Sequence, residues 1–167
     1  MKFYQKIFNL NFLKQLRKRD FICLILIILI FFADRLSKIK IINHQLNNNI
    51  IYINDFINFN LAWNTGIGFG LLSSNTNLVY NLITSIIGGV IILLIYFITQ
   101  SKFVDKLFFS LVLGGAIGNF YDRLIYSAVP DFIDLHYKTF HWFTFNIADI
   151  SITFGIIGII VKDIFKK

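Results

Sequence analysis

The chain has 167 residues, 56% of them hydrophobic, with a mean hydropathy of +0.69. A soluble domain of this length needs far more polar surface, which leaves a membrane protein. The net charge of +7 then marks cytoplasmic ends rather than a nucleic-acid partner, and the single cysteine, Cys23, rules out an internal disulfide and a Cys/His zinc site.

The first apolar run reaches the ~20 residues a hydrocarbon core demands only if it continues through Asp34 and Lys38, over about residues 21–42. A clean, uncharged span follows at about 78–99. A glycine-rich span is expected at about 107–121, where small residues permit close helix approach. The last, at about 143–161, contains Asn146 and Asp149. Between the first two spans, residues 50–72 read as short strands with a turn, because Ile51, Ile53, Phe59, Leu61 and Trp63 recur at even spacing. The expected fold class is an all-α membrane protein, four transmembrane helices with a small periplasmic β-like cradle, and residues 1–167 form a single domain.

Charge orients these spans. Eleven of the sixteen lysines and arginines lie in the N-terminal arm, the loop between the second and third spans, and the tail. The positive-inside rule puts both termini in the cytoplasm and residues 43–77 and 122–142 at the outer face. A secretory signal peptide is the competing reading of residues 1–33, but the basic arm is long and no small-residue cleavage site follows.

All nine acidic residues are aspartates, and Asp34, Asp122, Asp131 and Asp149 sit in or beside apolar spans. Hydrocarbon penalises such charges by roughly 2.5–3.5 kcal/mol, so they mark candidate function. Asp34 and Lys38, one helical turn apart, form either a structural ion pair or a pair that positions a neighbour or the substrate. Asn64, Gly66, Gly68, Phe69 and Gly70 make either a surface turn or a close backbone approach. Asn119, Asp122 and Arg123 leave the third span together, with Asp122 and Arg123 expected to pair. Pro130 fixes the approach to Asp131, and Asn146 and Asp149 open the last span. Two carboxylates close together in a low-dielectric site share a proton and can activate water; Asp131 and Asp149 are the best-placed pair, though spacing alone does not join them. Metal-peptidase spacing is missing around His44, His136 and His141, and no G-x-S-x-G or P-loop occurs. An ion conductor using intramembrane aspartates is a rival, as is a lipid-modifying transferase with a cytoplasmic metal cluster. The acidic groups at depth gather at one face, which favours neither.

The ordered blocks Asp34-x-x-Ser37-Lys38, Asn64-Thr65-Gly66-x-x-Phe69, Gly114-Gly115-Ala116-x-Gly118-Asn119-x-x-Asp122-Arg123, Val129-x-Asp131-Phe132 and Phe145-Asn146-x-Ala148-Asp149 resemble the motifs of the lipoprotein signal peptidase (signal peptidase II) family. The resemblance runs from about residue 20 to 160. It implies a four-span aspartyl peptidase of the bacterial inner membrane, with its active site at the periplasmic face. Such an enzyme removes signal peptides from prolipoproteins, cutting before the diacylglyceryl-modified cysteine. Asp131 and Asp149 are then the catalytic pair. Asp34, Lys38, Asn64, Gly66, Asn119, Asp122, Arg123 and Asn146 bind substrate or support the pair. No metal or organic cofactor is implied. The partners are lipid-modified preproteins and membrane lipid, with no nucleic acid, and the chain acts as a monomer. The pattern departs from the family at Ser127, where glycine is common, at Gly68, where alanine is, and at Pro130.

Overall fold

The computed structural model describes residues 18–45, 50–66 and 77–165. The basic arm up to Arg17, the segment carrying Gly68, Phe69 and Gly70, and Lys166 and Lys167 lie outside them.

Four helices form: α1 (Lys18–Gln45), α2 (Asn77–Gln100), α3 (Phe103–Tyr126) and α4 (Ile147–Ile164). Two of them, α2 from Leu78 and α3, are long and apolar enough by themselves to cross a membrane. The other two carry more charge, Asp34, Arg35 and Lys38 on α1 and Asp149 and Lys162 on α4. Large apolar side chains face outward along the helices, among them Leu29, Ile92 and Phe154, each more than 60% exposed. Water would penalise such a surface and lipid would not, which places the protein in a membrane.

The third helix is the hub, packing against each of the others. Its small residues set how closely the neighbours come. A Cβ at Gly115 would sit 2.5 Å from the Ala148 carbonyl oxygen on α4, and one at Gly118 would sit 2.7 Å from Oδ2 of Asp34 on α1. Gly118→Ala should therefore destabilise the protein by about 1–3 kcal/mol, since the carboxylate it displaces is fixed by other partners. Thermal unfolding in detergent checks this; an unchanged midpoint would contradict it.

Four strands build one antiparallel sheet in the order β1 (Ile51–Asn54), β2 (Ile57–Asn64), β3 (Val129–Tyr137), β4 (Phe140–Phe145). The β1–β2 hairpin falls where the even spacing of apolar residues places it. The β3–β4 hairpin is an addition to the expected architecture. Strand β3 is buried along nearly its whole length, so it shows no in–out alternation to read. The expected fourth span needs correcting at its start: residues 143–145 finish β4, and the helix begins at Ile147. A run of apolar aromatics fits a strand and a span equally well, and only Asn146 marks the boundary. The third helix also extends past the expected 107–121 at both ends. It closes at Ser127 in the left-handed conformation, φ 54°, which glycine adopts without strain.

The sheet packs on one end of the helices. Phe132 and Ile133 of β3 form a buried cluster with Ile41 of α1, joined by Ile147 and Ile150 of α4. This contact suspends Asp131 over the start of α4.

Candidate active site

Asp131 arrives on β3, opposite Ala62 of β2. Asn64, two residues along the same face, is its diagonal neighbour and donates from Nδ2 to Asp131 Oδ2 at 2.8 Å. Asp149 arrives in the first turn of α4, where the helix starts in a capping box. The Asn146 side-chain oxygen accepts from the Asp149 N–H at 3.0 Å, and Asp149 Oδ2 accepts from the Asn146 N–H at 3.2 Å. The other end of the same amide, Nδ2 of Asn146, donates to Asp131 Oδ1 at 2.6 Å. One buried asparagine thus holds both carboxylates.

Below it lies a charged cluster. Lys38 Nζ donates to Asp34 Oδ2 at 2.7 Å, to Asp122 Oδ2 at 2.7 Å and to Asn119 Oδ1 at 2.9 Å. Lys38 and Asp122 are fully buried and Asp34 nearly so. The second oxygen of Asp34 accepts from the Ala148 N–H at the start of α4, 2.9 Å away. Arg35 pairs through Nη1 with Asp122 Oδ1 at 2.7 Å and donates from Nη2 to the Tyr126 hydroxyl. Two cations and two carboxylates make this cluster neutral, which lets it stay buried. Asp122 therefore pairs with Arg35 and Lys38 rather than with its neighbour Arg123, because successive helical residues point about 100° apart. Arg123 instead donates to the Gly66 carbonyl at 2.5 Å and the Asn119 carbonyl at 3.2 Å, clamping the end of β2 to α3.

Three asparagines contact the aspartates, and each is locked in orientation by a second partner. Asn64 Oδ1 accepts from the Gly66 N–H, Asn146 Oδ1 from the Asp149 N–H, and Asn119 Oδ1 from Lys38. Each must therefore present its N–H to a carboxylate, and Asn119 Nδ2 reaches Asp149 Oδ1 at 2.8 Å. All four carboxylate oxygens of Asp131 and Asp149 thus accept one fixed N–H, leaving their remaining lone pairs for a proton or a water. Burial, and then the neighbouring Asp149 charge, push Asp131 up to about 6 against the donors from Asn64 and Asn146.

The structure brings Asp34, Lys38, Asn119, Asp122, Asp131, Asn146 and Asp149 into one connected network, with Asn64, Gly66 and Arg123 at its edge. Three further members have weak signals or none in the sequence. The cue for Arg35 is its place three residues before Lys38, on the same side of α1. The Tyr80 hydroxyl, which donates to the Arg123 carbonyl at 2.7 Å, and the Tyr126 hydroxyl carry no local cue.

These features define a helical membrane protein whose polar residues converge at one end on two aspartates. Comparison with known proteins narrows the class. A model of the family described as signal peptidase (SPase) II matches residues 26–165. A lipoprotein signal peptidase of Pelagibacter ubique (strain HTCC1062) is 45% identical over 150 residues, 89% of this chain and 90% of that protein. One from Francisella tularensis subsp. novicida (strain U112) is 38% identical over 86% of this chain and 91% of its own. Two solved structures described as bacterial membrane enzymes determined by the in meso method share the fold. One, at 1.9 Å resolution, has a TM-score of 0.71, 28% identity, and covers 87% of this chain and 94% of its own. The other, at 2.3 Å, has a TM-score of 0.67, 30% identity, and covers 87% and 90%. The chain belongs to the signal peptidase II family of peptidases.

Proposed function

We propose that this protein is an aspartyl endopeptidase that removes the signal peptide from prolipoproteins, cutting on the N-terminal side of a diacylglyceryl-modified cysteine, with Asp131 and Asp149 as the catalytic pair. The observation that carries this reading is Asn146, whose single side chain and backbone N–H hold the two carboxylates beside each other.

Charge counting supports a shared proton. Arg35, Lys38 and Arg123 stand against Asp34, Asp122, Asp131 and Asp149, so one proton on the pair neutralises the whole buried set. The ionised member takes a proton from water as its oxygen attacks the scissile carbonyl carbon. The protonated member donates to the carbonyl oxygen, where negative charge develops. Collapse breaks the C–N bond, and the proton taken from water passes to the departing nitrogen. Asn64, Asn119 and Asn146 leave no freedom in how the carboxylates face the peptide, so little reorganisation accompanies the reaction.

The reading places all four helices across the bacterial inner membrane, both termini in the cytoplasm and the sheet on the periplasmic side as a cradle for the substrate. The excess of lysine and arginine in the α2–α3 connection, the first turn of α3 and both termini supports that orientation. A single chain supplies every residue around the pair, in keeping with a one-domain monomer. The test is cleavage, by purified protein in detergent, of two precursors that differ only in the lipid on the cysteine. The lipid-modified precursor is cut and the unmodified one is not; equal cutting of both would remove the proposed specificity.

The raised Asp131 value also sets a pH dependence. Because Asp149 is charged when Asp131 titrates, the proton bound at about 6 is the one the pair shares; above about 6 the pair loses its proton donor, so the rate falls about tenfold per unit as the pH rises. Stability moves the same way. Between 3.8 and about 6 the folded state binds more protons at Asp131 than the unfolded chain does. That contribution is complete below 3.8 and lost as pH rises through about 6. Initial rates and thermal midpoints between pH 4 and 8 check both slopes; a rate that holds up to pH 8 would contradict the first.

A further inference from the structure

At the end of the helices opposite the aspartates, Arg19 and Asp20 of α1, Thr99 and Gln100 of α2, and Lys102 and Lys106 at the start of α3 surround a cavity of about 590 Å3. Lys106 pairs with Asp20 at 2.5 Å. Among the described residues no carboxylate forms an ion pair with Arg19 or Lys102. Arg19 lies over the Phe103 ring, 5.2 Å from its centre, which holds the guanidinium at the cavity wall. The end of α2 and the start of α3 meet here with opposed dipoles, so the side-chain charges decide the sign of the site.

The polar cavity does not stand alone. It shares Asp20, Thr99 and Lys106 with a second cavity of about 480 Å3, walled by Leu24, Ile27, Ile95, Ile98 and Leu113. This apolar groove exists because α1 and α2 both pack on α3 but scarcely on each other. A cationic chamber opening into an apolar groove on the lipid-facing surface matches a molecule with an anionic head and a hydrocarbon tail.

We propose that these joined cavities bind an anionic glycerophospholipid, with the phosphate between Arg19 and Lys102 and the start of one acyl chain between α1 and α2. Basic pockets between membrane helices are suited to anionic headgroups, because each nearby cation adds attraction where the groove already holds the tail. The site lies about 20 Å along α3 from Asn119, counted from Lys106, so it is separate from the aspartate pair and independent of the proposed chemistry.

Native mass spectrometry and thermal shift on the full chain in neutral detergent test this, with phosphatidylglycerol, phosphatidylcholine of the same chains, and inorganic phosphate as probes. Phosphatidylglycerol is expected to bind and raise the midpoint, and phosphatidylcholine to bind at least tenfold more weakly. Arg19→Gln with Lys102→Gln should weaken phosphatidylglycerol roughly tenfold or more and leave the cleavage rate in detergent unchanged. Ile98→Trp should weaken it by filling the groove. Lys102→Gln alone, at an exposed position, keeps the question answerable if the double variant misfolds; it should cost several-fold. Equal binding of the two lipids would overturn the proposal. So would full competition by inorganic phosphate, which would mean a free-phosphate site, or undiminished binding in the variants.

Discussion

Asp131→Asn and Asp149→Asn should each leave a protein that inserts and folds but cleaves a lipid-modified precursor at least about a thousandfold more slowly. The size follows from the role. Without one carboxylate the pair lacks either its base or its proton donor, and positioned proton transfer supplies about 10²–10⁴ in rate. Survival of the fold follows from the hydrogen bonds. At 131 the new amide keeps one acceptor, but its NH2 must face either Asn64 or Asn146, and neither can rotate because each also accepts an N–H. That conflict costs about 1–3 kcal/mol. Loss of a buried carboxylate whose value stands at about 6 relieves a comparable penalty at pH 8, so the net change in midpoint is small. At 149 the amide oxygen can still accept from the Asn146 N–H and preserve the cap, while its NH2 opposes Asn119. A second signature separates the two variants. The stability change between pH 4 and 6 should flatten in Asp131→Asn, because the group responsible for it is gone. A gel shift of the precursor and a thermal scan at pH 5 and pH 8 suffice. Cleavage within tenfold of the unaltered protein by either variant would remove it from the catalytic pair.

Much of this arrangement is legible in the order of the amino acids alone, and the limits are physical. The helices declare themselves because hydrocarbon demands long apolar runs, and the β1–β2 hairpin because its apolar residues recur at every second position. Strand β3 is silent because protein covers both of its faces, and β4 because Phe140, Trp142, Phe143 and Phe145 satisfy a strand and a span alike. Asn146 with Asp149 three residues later is a readable helix start, and it marks the true boundary. Neighbours one turn apart, such as Asp34 and Lys38, are legible from helical geometry. Partners from different elements are not: nothing local says that Asp122 meets Arg35, or that Asn64 meets Asp131 sixty-seven residues away. For such pairs only the ordered motifs of the family give a lead.

Lys38→Met should destabilise the protein by about 3–5 kcal/mol and slow cleavage beyond what the lost fold explains. Methionine fills nearly the same space, so packing is not the cause. The ammonium joins two carboxylates that have almost no contact with solvent. After substitution Asp122 keeps Arg35, but Asp34 keeps only the Ala148 N–H, and an uncompensated buried charge costs in that range. For a chain of this length that is on the order of 10 °C in the thermal midpoint. Asp34→Asn added to Lys38→Met removes the stranded charge, so the double variant should lose less than the sum of the two single losses, and this non-additivity reports the pair directly. The effect on rate runs through Asn119. Its oxygen accepts from Lys38, and that bond compels its N–H to face Asp149. With the ammonium gone the amide is free to turn its oxygen toward the carboxylate, which disturbs the charge on Asp149 without touching substrate. The expected pattern is a fall in kcat with KM nearly unchanged and a displaced alkaline limb in the pH profile, measured well below the lowered midpoint. A loss of stability with an unaltered kcat and pH profile would reduce Lys38 to a structural ion pair.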